Sequence, residues 1–255
     1  MMQLSEKFFS FLFLLIPLFL ITGPALPDIV ITLGLIFGII YFVYHKEYSE
    51  LIKINFIRIS VIFWLSLIII SFFSYNKTNS FQDALIFIRF LFIPILCYFI
   101  IFKKRELFKL TLLVIAVLVI FVCIDSFYQF LNYTPENGFG KDLLGFKSNW
   151  YGRLTGPFGD ELIPGSYISK FGLLGFAFLI SIDKFKNKII FHSIYLSSIL
   201  FICFISGERM AFATFGLSLI FLFLFLNGFR KSIFLSIIIG IFLISITTYL
   251  HPSYN

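Results

Sequence analysis

A short polar stretch carries the densest set of residues that could do chemistry. It runs from Tyr151 to Ser166 and reads YGRLTGPFGDELIPGS, with glycines that permit turns and close approach of a ligand. Arg153 supplies a permanent positive charge, so we predict that it binds an anionic substrate. Asp160 and Glu161 place two carboxylates near the next apolar segment, where they are candidates for a catalytic base or for acceptor contacts. The alternative is a connector whose charges are merely solvated.

A second candidate group is the hexapeptide SGERMA at residues 206–211, which separates two apolar segments with almost no room for a loop. Glu208 and Arg209 would therefore lie at the rim of a membrane or inside it. An ionisable side chain is costly there and normally faces a cavity or a partner. We predict that both residues contribute to substrate binding. A local pair between them, or anchoring at the interface, is the alternative.

Arg89 is a third candidate for substrate binding because it lies inside an apolar run, a short distance after Asp83. Helical geometry puts it about 9 Å from the end of that run, so its side chain could also reach the interface. The sequence supports a functional and a structural role equally. Asp125, near the end of another apolar run, is the candidate counter-charge.

The composition assigns the chain to a membrane. Of its 255 residues, 60% are hydrophobic and only 13% are charged, so a soluble protein of this size could not form its polar surface. The net charge of +7 does not indicate nucleic-acid binding, because the basic residues punctuate apolar runs instead of clustering on one face. The cysteines lack metal-ligand spacing, and we predict neither a metal site nor a cofactor.

Apolar runs of roughly 20 residues predict an all-α, polytopic integral membrane protein with a single transmembrane domain over residues 1–255. We expect about nine transmembrane helices. They run approximately over residues 8–23, 29–44, 59–75, 84–102, 107–131, 166–182, 189–206, 210–227 and 232–250.

The positions of Lys and Arg predict the orientation. With a cytoplasmic N-terminus, most of the 20 basic residues fall in cytoplasmic segments, where positive charge is retained during insertion. With this orientation in the inner membrane, residues 132–165 form a long external loop, and Arg153 and Arg209 share the outer side. The chain stops as the ninth predicted span emerges, which suggests a fragment or a short form that lacks a C-terminal part.

Arginines beside lipid headgroups suit a phosphate ligand. The planar guanidinium binds phosphate oxygens through two parallel hydrogen bonds and stays charged when partly desolvated. A lipid-linked pyrophosphate presented from the outer leaflet fits both the charge and the location. Membrane lipids are the other expected partners.

Two stretches give the chain a resemblance to the O-antigen ligase and O-antigen polymerase family of bacterial envelopes. The segment from Arg153 to Tyr167, RLTGPFGDELIPGSY, resembles the family's R-x-x-G-x-F segment before a span. The hexapeptide at 206–211 resembles its small-x-x-R-x-A motif. The layout of predicted spans resembles the family over nearly the whole chain.

The resemblance implies a membrane domain similar to GT-C-type glycosyltransferases and a metal-independent reaction without a cofactor. Its members transfer a glycan from undecaprenyl pyrophosphate to lipid A-core or to another glycan unit, outside the inner membrane. By motif, Arg153 and Arg209 would bind the pyrophosphate. The ligases carry a catalytic histidine in a later loop, and His251 cannot be given that role by motif. The chain by itself is therefore expected to be inactive, or to depend on residues beyond 255.

Two other function classes remain open from the sequence. A transporter or flippase for an anionic or lipid-linked solute could use the same arginines, although no internal repeat of the kind common in transporters is visible. A non-catalytic membrane scaffold could use them only to anchor headgroups.

Overall fold

The computed structural model describes residues 11, 14–23, 25–46, 48–91, 95, 98, 105–182 and 188–253. These residues form α-helices joined by turns, short 3₁₀ helices and one long loop. Among them there is no β-strand, only two isolated β-bridges within the loop. The all-α prediction is confirmed for this part of the chain.

The helix bounds follow in chain order. The α-helices are α1 (Ala25–Tyr44), α2 (Tyr48–Lys53), α3 (Asn55–Ser71), α4 (Lys77–Ile86), α5 (Arg105–Leu131), α6 (Pro164–Ser181), α7 (Lys188–Ile205), α8 (Arg209–Phe225) and α9 (Arg230–Leu250). The 3₁₀ helices are Phe87–Leu91, Gly156–Phe158 and Asn227–Phe229.

Within the described ranges, four helical stretches are long and apolar enough to cross a membrane. These stretches are Ala25–Tyr44, Glu106–Leu131, Lys188–Ile205 and Asn227–Leu250. Each coincides with a predicted span, while α3 and α8 are apolar but shorter. The predicted spans 8–23 and 84–102 lie partly outside the described residues. At the start of the latter, α4 ends at Ile86 and a 3₁₀ helix follows, so the chain is not one continuous α-helix there.

The described residues fall into two compact units, one drawn from residues 1–20 and 24–111 and the other from residues 21–23 and 112–255. The first unit has a buried apolar cluster of Ile31, Leu35, Phe42 and Ile57 from α1 and α3. The indole Nε1 of Trp64 donates a hydrogen bond of 2.8 Å to a backbone carbonyl of α4. This contact fastens α3 to α4, since a buried donor needs a partner.

Helix α7 is the centre of the second unit, where it packs against α6, α8 and α9. Small residues bring the neighbouring backbones close to it. A Cβ on Gly240 of α9 would lie 2.6 Å from Leu200 Cδ2 and 3.3 Å from its Cγ, so a larger residue would force the side chain or backbone of α7 to shift. Ser193 Oγ of α7 also donates a hydrogen bond of 2.9 Å to the carbonyl of Ser232. Close approach through small residues and hydroxyl contacts is typical of helices packed in a membrane.

Large apolar side chains point outward along the long helices. Examples with roughly half of the side chain or more exposed are Ile40 and Val43 of α1, Ile124 of α5, and Ile241 and Phe242 of α9. In water this surface would drive aggregation, whereas lipid solvates it without cost. The outward faces therefore agree with helices that lie in a membrane.

Candidate functional site

One end of the second unit gathers the ends of five helices and the loop between α5 and α6. Near the end of α5, the amide of Gln129 is hydrogen-bonded to Thr155. The backbone N–H of Leu154 donates a hydrogen bond of 3.3 Å to the carbonyl of Ser206, at the turn between α7 and α8. Glu208 of that turn reaches the start of α6. We call the contact between residues 152–156 and residues 206–209 the loop–turn junction.

Arg153 lies directly on this junction. A Cβ on Gly207 would meet the carbonyl oxygen of Gly152 at 2.8 Å and Cγ of Arg153 at 3.2 Å, so the turn touches both the backbone and the side chain of the arginine segment. One terminal nitrogen of Arg153 lies 3.5 Å from the carbonyl of Leu162, a long hydrogen bond. Its Nε is buried and has no partner among the described residues. The guanidinium therefore retains donors for an anion.

Arg209 is the first residue of α8 and is exposed. It lies two residues after Gly207, so the structure brings the segments that carry Arg153 and Arg209 into contact. The N-cap residue of α8 is Glu208, whose side chain makes no capping hydrogen bond to its own helix. The partial positive charge at the start of α8 thus adds to the charge of Arg209, an arrangement that favours phosphate.

Glu208 is buried and serves another helix. Its Oε1 accepts a hydrogen bond of 2.7 Å from the backbone N–H of Gly165, and its carboxylate also accepts from the backbone N–H and the hydroxyl of Ser166. A carboxylate at the N-terminus of α6 satisfies N–H groups that the helix itself leaves unpaired. The approach requires glycine at 165, where a Cβ would lie 2.4 Å from Ser206 Oγ. The structure thus places Glu208 in a structural contact, and its role in substrate binding stays a prediction.

Asp160 and Glu161 are both exposed on the loop, after the 3₁₀ helix Gly156–Phe158. Asp160 Oδ1 accepts a hydrogen bond of 3.2 Å from the side-chain amide of Asn149, which ties two parts of the loop together. Exposed carboxylates can meet an acceptor hydroxyl from solution, so their catalytic role remains a prediction that this geometry permits.

Arg89 belongs to the first unit and is not one of the residues gathered at the loop–turn junction. Its guanidinium forms an ion pair of 3.0 Å with Asp28 and lies over the ring of Phe90, 5.1 Å from the centroid. The counter-charge is therefore Asp28 and not the candidate Asp125, whose Oδ1 instead accepts a hydrogen bond from the backbone N–H of Leu143. Asp28 was not recognised because sixty residues of sequence separate it from Arg89.

Gln129 is the residue of this site that the sequence analysis missed. Its Nε2 donates a hydrogen bond of 3.0 Å to the hydroxyl of Thr155. Its Oε1 accepts hydrogen bonds of 3.0 and 2.9 Å from the backbone N–H groups of Thr155 and Gly156. All three contacts are buried. The sequence did contain a signal for Gln129, because Asp125 and Gln129 are polar residues one helical turn apart in a mostly apolar run.

His251 packs at the same end of the unit. Its imidazole stacks on the ring of Phe130 at 4.0 Å and lies 5.2 Å from the ring of Tyr133. Its Nδ1 lies 2.7 Å from the hydroxyl of Ser253. Burial lowers the pKa of His251, while a hydrogen bond with the backbone of Phe130 partly opposes that change. These contacts give His251 a packing role at the end of α9.

The described residues contain no group of three or more His, Cys, Asp or Glu side chains that could hold a metal ion. The comparisons with known proteins are also negative: no family model, no curated protein and no solved structure matches the chain. The arginines of the loop–turn junction and their surroundings therefore carry the functional inference.

Proposed function

We propose that this protein is a membrane-embedded glycosyltransferase of the O-antigen ligase or polymerase type, which takes its glycan from undecaprenyl pyrophosphate. The acceptor is a further glycan or lipid A-core. The observation that carries the proposal is the contact between the Arg153 segment and the turn that leads into Arg209. Two guanidinium-bearing segments joined in this way offer one binding site for a diphosphate.

The arginines would act on the leaving group. When the acceptor hydroxyl attacks the anomeric carbon, the bond from that carbon to the pyrophosphate breaks and negative charge grows on the pyrophosphate oxygens. Fixed positive groups aimed at this charge lower the barrier, because they need no reorganisation during the reaction. Arg153 and Arg209 supply two of them, and the start of α8 supplies a third.

The acceptor side needs a group that takes the proton of the attacking hydroxyl. Asp160 and Glu161 are the carboxylates of the loop that we assign to this task or to acceptor binding. Both are exposed, as an acceptor that arrives from outside the membrane requires. Arg89 would contribute to binding of the lipid-linked substrate only if its ion pair with Asp28 opened.

The proposal includes a topology. The chain crosses a bacterial inner membrane about nine times with a cytoplasmic N-terminus, in a fold similar to that of GT-C-type enzymes. This arrangement places the ends of α5, α7 and α9 and the loop after α5 on the outer side. Their meeting at one end of the second unit supports a shared side for Arg153 and Arg209.

Substitution of the arginines in cells that make the complete protein tests this function. We expect Arg153→Ala and Arg209→Ala to abolish surface polysaccharide while the protein accumulates normally, and Lys147→Ala to have no effect. Lys147 is a matched control because it is a basic, exposed residue of the same loop. In cells with either arginine variant, undecaprenyl-linked glycan should accumulate on the outer face of the inner membrane.

The location of the accumulated glycan separates the function classes. Accumulation on the inner face would instead identify a flippase. Normal surface polysaccharide in both arginine variants would exclude the proposed transfer.

A further inference from the structure

Three buried oxygen atoms lie at the junction of α5 with its following loop and have no hydrogen-bond partner among the described residues. They are Oδ2 of Asp125, Oγ of Ser126 and Oδ2 of Asp142. Asp125 and Ser126 are completely buried, and Asp142 is 3% exposed. Buried polar atoms in folded proteins almost always have a partner, so three such atoms at one junction point to a ligand.

The backbone of the loop brings the two carboxyl groups together. Asp125 Oδ1 accepts a hydrogen bond of 3.0 Å from the N–H of Leu143, the residue that follows Asp142. Asp142 Oδ1 accepts one of 2.6 Å from the N–H of Phe146. Each carboxyl group thus uses one oxygen to hold the loop and leaves the other without a partner. Because Leu143 is bonded directly to Asp142, the hydrogen bond to Asp125 brings the two carboxyl groups near each other.

The hydroxyl of Ser126 lies on the same side of α5 as the unpaired oxygen of Asp125. Both face the backbone of Gly156, since a Cβ there would lie 2.7 Å from Ser126 Oγ and 3.7 Å from Asp125 Oδ2. The free oxygens of α5 therefore point towards the loop and away from the apolar outer face of the helix.

The charge of this group requires compensation. No basic side chain in the described ranges forms an ion pair with Asp125 or Asp142, and the nearby Lys141 and Lys147 are exposed. Two buried carboxylates without a basic partner are unfavourable, because burial removes the water that would solvate their charges. A divalent cation balances both charges, whereas one proton balances only one. Carboxylate and hydroxyl oxygens are also the ligands that hard divalent cations prefer.

We propose that Asp125, Ser126 and Asp142 bind a divalent cation of the Ca²⁺ or Mg²⁺ class, which fastens the loop to α5. Gln129, one turn further along α5, already holds Thr155 and Gly156 beside Arg153. The cation adds a second attachment between α5 and the same loop. The role of this cation is structural, so the proposed site does not depend on whether the chain transfers a glycan.

Cation binding by the purified full-length protein tests this site. Protein in detergent is stripped with EDTA and titrated with CaCl₂, with MgCl₂ as competitor. We expect one saturable site in the wild type, weakened about tenfold or more in Asp142→Asn, because affinity follows the number of charged ligands. Glu136→Gln, which removes an exposed carboxylate of the same loop, should bind as the wild type does.

Thermal unfolding of the same variants gives an independent readout. In EDTA, Asp142→Asn should melt at a higher temperature than the wild type, because the substitution removes the repulsion from Asp125. In Ca²⁺ the wild type should instead melt at a higher temperature than Asp142→Asn. Asp142 lies in the loop and not in a membrane helix, so this variant avoids a polar change inside the bilayer.

Three results would overturn the cation site. The first is a wild type without saturable binding of either ion. The second is equal binding by Asp142→Asn and Glu136→Gln. The third is an Asp142→Asn variant that is more stable than the wild type in both EDTA and Ca²⁺, which would show a pair that shares a proton instead of a cation.

Discussion

At the residue scale, Glu208 joins two helices that are distant in sequence. It is the N-cap residue of α8, yet its carboxylate accepts hydrogen bonds from Gly165 and Ser166 at the start of α6. The turn that carries Arg209 is thereby held against α6. A buried carboxylate that accepts several backbone hydrogen bonds holds its partners strongly, since hydrogen bonds to a charged group are stronger than those between neutral groups.

Removal of this carboxylate should destabilise the protein. We expect Glu208→Ala to lower the free energy of unfolding by about 1–3 kcal/mol, because the N–H groups of Gly165 and Ser166 lose their acceptor. Glu136→Ala, which removes an exposed loop carboxylate, should change it by less than about 0.5 kcal/mol. Denaturant unfolding of both variants in the same detergent measures the difference. Equal stability of the two variants would show that the contact with α6 contributes nothing.

Residue types alone predicted that Glu208 and Arg209 need partners, because ionised groups between apolar segments are costly. They could not identify the partner of Glu208, since it is the backbone of a helix start more than forty residues earlier. The same limit applies to Arg89, which pairs with Asp28. Gln129 could have been recognised as a polar residue on an apolar helix. Its hydrogen bond with Thr155 could not have been predicted.

At the element scale, α7 packs against α6, α8 and α9, but not all of its neighbours carry a closely packed glycine. Gly240 of α9 lies against Leu200 of α7, while Gly216 of α8 has open space where a side chain would begin. The two glycines therefore form a matched pair: both lie within a helix, but only Gly240 is closely packed.

Substitution of this pair should separate packing from helix propensity. We expect Gly240→Leu to destabilise the protein by about 1–3 kcal/mol, because the added side chain forces α9 away from α7. Gly216→Leu should be neutral or slightly stabilising, since leucine favours the helix more than glycine does. Thermal unfolding in detergent measures the change in stability of each variant. A Gly240→Leu variant as stable as Gly216→Leu would contradict the close packing of α7 with α9.

Hydropathy predicted the helices well where long apolar runs coincide with single elements, as in α1, α5, α7 and α9. It could not predict the fold of the loop after α5. There the turns depend on contacts such as Asn149 with Asp160 and Gln129 with Gly156, which join residues far apart in sequence. Periodicity carries no information about such contacts.

At the scale of the whole molecule, large apolar side chains are exposed along the helices of each unit, and many of the polar contacts gather at one end of the second unit. The chain was expected to form a single transmembrane domain, and its described residues cluster into two compact units. The junction of Arg153 with the turn before Arg209 lies entirely within one of them. The proposed diphosphate site thus draws on the contacts of this unit alone.

Diphosphate binding by the purified protein tests the central claim most directly, with inorganic pyrophosphate and a short isoprenyl pyrophosphate as ligands. We expect Arg153→Ala and Arg209→Ala each to weaken binding about 10- to 100-fold, as the loss of a charge-assisted contact predicts. The double variant should lose less than the product of the two effects, because both residues hold one ligand. Lys147→Ala should bind as the wild type does. Wild-type affinity in either arginine variant, or strictly multiplicative losses, would contradict a diphosphate held jointly by Arg153 and Arg209.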